Sequence, residues 1–222
     1  MRIRSRSAGT ARLRVTLLAT AMAMAMAMAT AMAMTTTAAQ AVVVWDESVS
    51  GDLSNSGLAP TALALSPGSN VVRGMTRRAV AGGTVDRDYF SITVPSGNFL
   101  NSMTVQPGTV GQGPTLVSFV GLQAGPQVTV PTSATTAAGL MGYWLYGAPD
   151  VGKDLLPLMA LPSNGSSGFG VPLPAGVYSF WVQDTGVGAA VYGFDLGVSA
   201  VPEPLASWLI VLGLAGWRRH QR

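Results

Sequence analysis

The chain has 222 residues, of which 48% are hydrophobic and 10% charged, and its formal net charge is +3. The chain has no cysteine, which excludes disulfides and a lipoprotein anchor. Its one histidine is His220, so residues 42–200 contain neither histidine nor cysteine and cannot supply Ser-His-Asp catalysis, Cys-His catalysis or the usual zinc sites. Those residues carry five basic and nine acidic side chains, a net charge of −4, so the basic excess lies at the two ends and does not indicate nucleic-acid binding.

The first 41 residues have the three parts of a secretory signal peptide. Residues 1–14 contain five arginines and no acidic residue, residues 15–34 form an apolar run, and Ala39-Gln40-Ala41 is an Ala-x-Ala site. We expect export by the Sec machinery with cleavage after Ala41. The length of the apolar run leaves one alternative, an uncleaved transmembrane anchor. In both cases the rest of the chain leaves the cytoplasm.

Residues 42–200 predict one all-β domain, because glycine and proline punctuate short runs of β-branched and aromatic residues that alternate with serine and threonine. The predicted strands are residues 42–45, 61–66, 70–76, 88–94, 100–106, 115–122, 140–146, 176–184 and 190–198. We expect an antiparallel β-sandwich of roughly eight strands. Residues 150–170 are expected to form an exposed loop, and no long helix is predicted.

Two strands have informative side-chain patterns. In residues 88–94, Phe90, Ile92 and Val94 share one face, which predicts a sheet buried on that face and wet on the other. Residues 176–184 carry large apolar side chains at both parities, so we expect this strand to be covered on both faces. Residues 184–188 are predicted to form a hairpin turn to the last strand.

These strands carry a resemblance to a known family. Residues 86–97, DRDYFSITVPSG, with residues 173–178, LPAGVY, and residues 192–198, resemble the bacterial pre-peptidase C-terminal domain. The likeness extends over residues 84–199 and is carried by its two ends. It implies a jelly-roll-like β-sandwich of the kind that is appended to secreted proteins, standing here with no peptidase attached.

Calcium is one use for the aspartates of this region. Asp86 and Asp88, with Asp184 or Asp52, offer the oxygen ligands that calcium prefers, although aspartates before a strand also cap turns. A glycosidase needs two carboxylates in a cleft, whereas Asp86 and Asp88 are at a strand start where acids ordinarily cap turns, so we expect no enzymatic activity. Four aromatic residues are candidates either for stacking on sugar rings or for core packing: Tyr143, Trp144, Tyr146 and Trp181. A glycan- or calcium-binding module is therefore an alternative function.

The C-terminal end has three parts in a fixed order. The first is Val201-Pro202-Glu203-Pro204, the second is the apolar run of residues 205–217, and the third is a basic end that includes Arg218 and Arg219. As a helix the apolar run spans roughly 20 Å, against a hydrocarbon core of about 30 Å, and is a marginal single transmembrane helix. The arginines are expected on the cytoplasmic side. A plain membrane anchor and a buried amphiphilic helix are the alternatives.

This arrangement resembles the PEP-CTERM sorting signal of Gram-negative bacteria. In that family an exosortase, a membrane-embedded transpeptidase-like enzyme, is thought to recognise the Pro-Glu-Pro motif. The resemblance implies passage through the inner membrane, recognition at Pro202, Glu203 and Pro204, and final location at the cell surface or in the extracellular matrix, where exopolysaccharide or biofilm is the expected context. It predicts a non-catalytic exported surface protein with three parts: residues 1–41, residues 42–200 and residues 201–222.

Overall fold

The computed structural model describes residues 40–78, 85–110, 117–186 and 188–201. In these ranges nine strands form two sheets, which confirms an all-β, sandwich-like architecture. The strands are β1 Val42–Asp46, β2 Thr61–Ala64, β3 Gly68–Arg78, β4 Asp88–Val94, β5 Asn98–Val105, β6 Ser118–Ala124, β7 Gly142–Tyr146, β8 Gly176–Asp184 and β9 Gly188–Ala200. The helical elements are α1 Glu47–Ser50, a 3-10 turn Ala148–Asp150 and α2 Leu156–Met159.

The chain passes back and forth between the two sheets. One sheet has the order β1-β3-β9-β5 and the other has the order β2-β4-β8-β6-β7. The first six strands therefore alternate between the sheets. Because two such crossings restore the direction of the chain, the edge strands β1 and β2 run parallel to β3 and β4. The expectation of a wholly antiparallel sandwich is wrong at these two edges, while the other pairs of strands are antiparallel.

The turn at residues 184–188 also differs from the prediction. It follows β8 and precedes β9, but β8 pairs with β4 and β6 whereas β9 pairs with β3 and β5. The turn therefore connects the two sheets and is not the tip of a hairpin. Glycine and polar residues suit either kind of tight connection, so the local sequence does not distinguish them.

The main core lies between the sheets. It is built from inward-facing side chains of both, with Phe90 of β4 stacked on Phe180 of β8 at a ring-centroid distance of 4.9 Å. Tyr146 of β7 meets Phe194 of β9 edge-on at 5.0 Å. The first contact joins neighbouring strands of one sheet, whereas the second joins β7 to β9 and so connects the two sheets.

The outer face of the five-stranded sheet is covered as well. Tyr89 and Trp181 stack at 5.8 Å and are 2% and 5% exposed. They form a second cluster with residues of the chain after β6: Val128, Val130, Ala137 and Leu140. The prediction that β8 is covered on both faces is confirmed. The prediction that one face of β4 is wet holds only at Thr93, which is exposed, and is wrong at Tyr89 and Ser91, which are buried. The long connection between β6 and β7 covers Tyr89.

The segment expected to be an exposed loop, residues 150–170, is partly a core element. Leu155, Leu156 and Met159 have no exposed surface, and the last two belong to α2. The backbone N–H of Leu155 donates to the carbonyl of Met103 in β5, which holds the segment against the sheet. Its apolar residues are spaced for a single helical turn, too short a signal to be recognised in the sequence.

Several predictions concern residues outside the described ranges. They are residues 1–39 of the predicted signal peptide, including Ala39 of the cleavage site, residues 202–217 and the arginine pair Arg218 and Arg219. Ala41 is described and exposed, directly before β1. Within the described residues, neither helix has the length and apolarity that a bilayer-spanning segment requires.

Trp181→Ala tests the covered outer face. Removing this buried indole should cost about 3–5 kcal/mol of unfolding free energy, as at a core position. Leu145→Ala, on the neighbouring edge at 46% exposure, is the control and should change the free energy by less than about 1 kcal/mol. Urea unfolding measures both. Equal, small effects would mean that the outer face of the sheet is open to water.

Candidate metal centre

Asp88 is an acidic residue at a core-facing position. Side chains alternate along a strand, so Asp88 at the start of β4 points to the same side as Phe90 and Ile92. The register is fixed along the whole strand, from the pair Asp88 and Val182 onward. As a result the Asp88 side chain has 0% exposure.

Two further carboxylates approach Asp88. One oxygen from each of Glu47, Asp52 and Asp88 lies within 4.8 Å of the others. Glu47 is half-buried in α1, and Asp52 is exposed in the connection that follows the helix. This group of three is called the acidic cluster below. It joins the first residues of the domain to the beginning of β4.

Backbone contacts bring this connection to β4. The Gly51 N–H donates to the Glu47 carbonyl at 3.2 Å and closes the short helix, and the Trp45 indole N–H donates to the Gly51 carbonyl at 3.1 Å. Two residues beyond Asp52, the carbonyl of Ser54 accepts the N–H of Tyr89 at 2.8 Å. Because Ser54 is bonded to the residue after Asp88, Asp52 is held close to the Asp88 carboxylate.

Glu47 is fixed by backbone donors. Its Oε1 accepts from the N–H of Leu53 at 3.1 Å, and its Oε2 accepts from the N–H of Met75 in β3 at 2.7 Å. The pKa of Glu47 is raised above its ordinary value, chiefly by burial and also by the negative charges of Asp52 and Asp86, while these two hydrogen bonds act in the opposite direction. The side chain thus connects α1 to the four-stranded sheet, whereas Asp88 belongs to the five-stranded sheet.

Asp88 has no comparable support from the described protein atoms. Neither of its carboxylate oxygens has a hydrogen-bond partner there. Burial in the first place, and then the negative charge of Glu47, raise its pKa from the ordinary value of 3.8 to about 9. The nearby hydroxyl of Tyr192 favours the charged form slightly, although the two groups do not reach hydrogen-bond geometry.

Two tyrosines lie beside Asp88 in the same buried region. Tyr192 and Tyr146 are each 1% exposed, and neither hydroxyl has a partner among the described residues. Burial and the charge of Asp88 raise the pKa of both well above the usual range. Tyr192 fits only because Gly74 is opposite: a Cβ there would lie 2.5 Å from the tyrosine hydroxyl oxygen. This end of the core is therefore polar and incompletely bonded.

The predicted calcium ligands are placed as follows. Asp88 and Asp52 meet in the acidic cluster, as the sequence suggested. Asp86 is next to them but outside the group of three; burial and then the charge of Asp52 raise its pKa. Asp184 is not in the cluster, and one of its oxygens accepts from the N–H of Gly186 at 3.1 Å. Glu47 was missed, because it lies 41 positions before Asp88 in a different element.

The aromatic candidates separate into two groups. Tyr146 and Trp181 are buried and serve packing, so they cannot stack on a sugar ring. Tyr143 and Trp144 are partly buried and line a groove of about 420 Å³ between the edge of β7 and the chain after α2. The Tyr143 hydroxyl lies 3.4 Å from the Ser163 hydroxyl across this groove.

The fold and the site define a class of protein: a two-sheet all-β domain with an acidic cluster at one end of its core, in which Asp88 is buried, Glu47 is half-buried and Asp52 is exposed. Comparison with models of known protein families, with curated proteins and with solved structures gives no match for this chain. Its function is therefore inferred from its own residues. Chemically, the cluster offers only oxygen ligands and needs a proton or a cation to offset its charge.

The raised pKa of Asp88 predicts a pH-dependent stability in a chelating buffer. The unfolded chain ionises Asp88 above about pH 4, while the folded chain keeps the proton until about pH 9. Its contribution to the free energy of unfolding is complete below pH 4 and is lost as the pH rises toward 9. Asp88→Asn removes this loss. The free energy of unfolding of the Asp88→Asn variant, relative to that of the unmodified protein, should therefore increase by about 2 kcal/mol or more between pH 4 and pH 8.

Urea unfolding in EDTA at the two pH values measures this difference. Asp46→Asn is the control, because the asparagine keeps an oxygen for the helix cap that Asp46 now forms with Ser48 and Asp46 is outside the cluster. The control should show no such increase. A parallel pH profile for Asp88→Asn and the unmodified protein would mean that Asp88 is not a buried acid.

Proposed function

We propose that this chain is an exported, non-catalytic surface protein that a C-terminal PEP-CTERM signal sorts to the cell surface or the extracellular matrix. The observation that carries the proposal is the ordered end of the chain: Val-Pro-Glu-Pro at residues 201–204, the apolar run of residues 205–217 and the arginines at 218 and 219. The route uses the Sec machinery first, then a membrane intermediate that exosortase recognises.

The proposed motif follows directly on the sheet. Val201 is the first residue after β9, and its N–H donates to the carbonyl of Gly97 in the turn between β4 and β5 at 2.7 Å. Proline lacks a backbone N–H and disfavours the helical conformation at the residue before it, so the prolines at 202 and 204 favour an extended backbone that suits recognition by an enzyme. This arrangement supports a division into a folded body that ends near residue 200 and a separate sorting segment.

The body is proposed to be a jelly-roll-like sandwich similar to the pre-peptidase C-terminal domain. Two observations support this finer description. The first six strands alternate between the two sheets. The two ends of the resemblance are also neighbours, because β4 and β8 pair along their length from Asp88 and Val182 to Val94 and Gly176. A role as an appended or independent surface module follows from this likeness.

The acidic cluster does not favour catalysis. A glycosidase holds two carboxyl groups about 5 to 10 Å apart around a substrate cleft. Here the three carboxylates lie closer together, and Asp88 has no exposed surface with which to reach a substrate. Residues 42–200 also contain neither histidine nor cysteine. These features support a binding or structural role.

Glu203→Ala tests the sorting signal. The variant should fold normally but keep its C-terminal segment, because the acidic residue between the prolines is the proposed contact with exosortase. Gln221→Ala is the control, since it changes a polar residue of the tail outside the motif, and it should mature normally. Intact-mass spectrometry of protein from the surface and medium of the native host gives the result.

The unmodified protein should lack residues 1–41 and the residues beyond the Pro-Glu-Pro motif. A mass that retains residues 205–222 would contradict sorting and make the tail a plain membrane anchor. Normal C-terminal maturation of the Glu203→Ala protein would also count against the proposal, because recognition would then not depend on the motif.

Exopolysaccharide is the proposed matrix partner, and the groove at β7 supports it. Tyr143 presents part of its ring there, and Leu161 at its border is 65% exposed. Aromatic surface of this kind packs against the apolar face of a sugar ring. The groove is the part of the described surface where the predicted sugar-stacking residues remain accessible.

Exopolysaccharide isolated from the host should retain the Tyr143→Ala variant about threefold to tenfold more weakly than the unmodified protein. This is the effect expected from the loss of one aromatic contact. Leu58→Ala is the control, since Leu58 is 62% exposed and outside the groove. Co-sedimentation at increasing polysaccharide concentration measures the retention. Equal retention of the Tyr143→Ala variant and the control would exclude the groove as the binding surface.

A further inference from the structure

We propose that Glu47, Asp52 and Asp88 bind one calcium ion, which connects the first residues of the domain to both sheets. Each residue contributes a carboxylate oxygen, and the three oxygens lie within 4.8 Å of one another. The inference goes beyond the proposed sorting function and does not depend on it.

The spacing of the oxygens fits a single ion. Calcium takes oxygen ligands at about 2.3–2.6 Å, so two oxygens on one ion are separated by at most about 5 Å. All three carboxylate oxygens satisfy this limit. The site needs no new fold to form, because the backbone contacts of Gly51 and Ser54 already hold Glu47 and Asp52 beside β4.

The strongest observation for a ligand is the state of Asp88. A fully buried side chain with two unpartnered oxygens is costly, and protein carboxylates at such positions are normally paired, protonated or bound to a metal. Asp88 is 0% exposed and directed into the cluster, and neither described ion pair, Arg73 with Asp46 or Lys153 with Asp150, includes a cluster residue. The unpartnered hydroxyl of Tyr192 beside it is a second polar group that a hydrated ion can satisfy.

The chemistry of the donors selects calcium over the other common ions. The three ligands are all carboxylates, whereas zinc sites in proteins are usually built with histidine and cysteine, which residues 42–200 lack. Magnesium demands a regular octahedron with several retained waters. Calcium accepts six to eight oxygens in irregular arrangements, so carboxylates from a short helix, a loop and a strand can share it.

The position of the site gives the ion a structural role. Glu47 is bonded to the backbone of Met75 in β3, while Asp88 belongs to β4 of the other sheet. An ion between them links the two sheets at one end of the core and fixes α1 and the chain around Asp52. Binding to the folded state alone raises its stability in proportion to the logarithm of the calcium concentration.

The test uses the full-length chain purified in a mild detergent. Titration with calcium chloride should show one saturable site per chain by calorimetry, with a Kd on the order of 10⁻⁴ to 10⁻³ M or below, and should raise the melting temperature. Terbium should bind in its place and give luminescence sensitised by Tyr192. Asp52→Asn should weaken calcium binding at least about tenfold, since the site loses one of three charged ligands.

Asp46→Asn is the matched control. It removes the same charge only one residue from Glu47, but Asp46 is not a member of the cluster, so its affinity for calcium should be unchanged. Asp52 is exposed, so the Asp52→Asn variant should fold, and circular dichroism verifies this. The proposal is overturned if the unmodified protein shows no saturable binding up to 10 mM calcium, which is about ten times the weakest expected Kd. It is also overturned if the Asp52→Asn variant binds calcium as tightly as the Asp46→Asn control. Neither result depends on C-terminal processing, so failure of this inference is distinguishable from failure of the sorting proposal.

Discussion

The burial of the Asp88 carboxylate is the interaction on which the rest of the site depends. Transferring a charged carboxylate from water into an apolar core costs several kcal/mol unless a proton, a cation or several hydrogen bonds offset it. The long antiparallel register between β4 and β8 prevents the side chain from turning outward, because a shift of one position would also move Phe90 and Ile92 from the main core to the other face of the sheet. The sheet therefore places an ionisable carboxyl group in the core, which must either keep its proton or be paired with a cation.

The strands were predictable to a large degree, because each is a local pattern of alternating side chains between turn residues. β4 and β8 begin and end at the predicted residues, and most of the others differ by one to three positions. The assignment of strands to sheets was not predictable in the same way. A turn such as residues 184–188 has the same composition whether it joins two paired strands or crosses between sheets. The covering of Tyr89 likewise depends on residues 128–140, which are distant in the sequence.

The candidate site could be predicted only in part, for a related reason. Asp88 is the first residue of a strand whose core-facing parity is visible in the sequence, so the burial of its side chain could be inferred from the alternation. Asp52 was one of two possible partners, and nothing in the sequence favoured it over Asp184. Glu47 gave no signal at all, because its position beside Asp88 depends on the closure of α1 and on its bond to Met75. Local patterns identify strands, whereas the cluster is a product of the topology.

The two proposals meet in the chemistry of the compartment. A domain whose core contains a carboxylate and two tyrosine hydroxyls, none of them with a hydrogen-bond partner among the described residues, is less stable when that carboxylate is charged and unbound. Calcium sites in extracellular modules commonly have dissociation constants of about 10⁻⁴ to 10⁻³ M, weak enough to remain empty where calcium is scarce. A site of this affinity would add stability after export and little before it. The proposed signal at the N-terminus and the proposed calcium site beside β1 would then act in sequence, the first delivering the chain to the place where the second is filled.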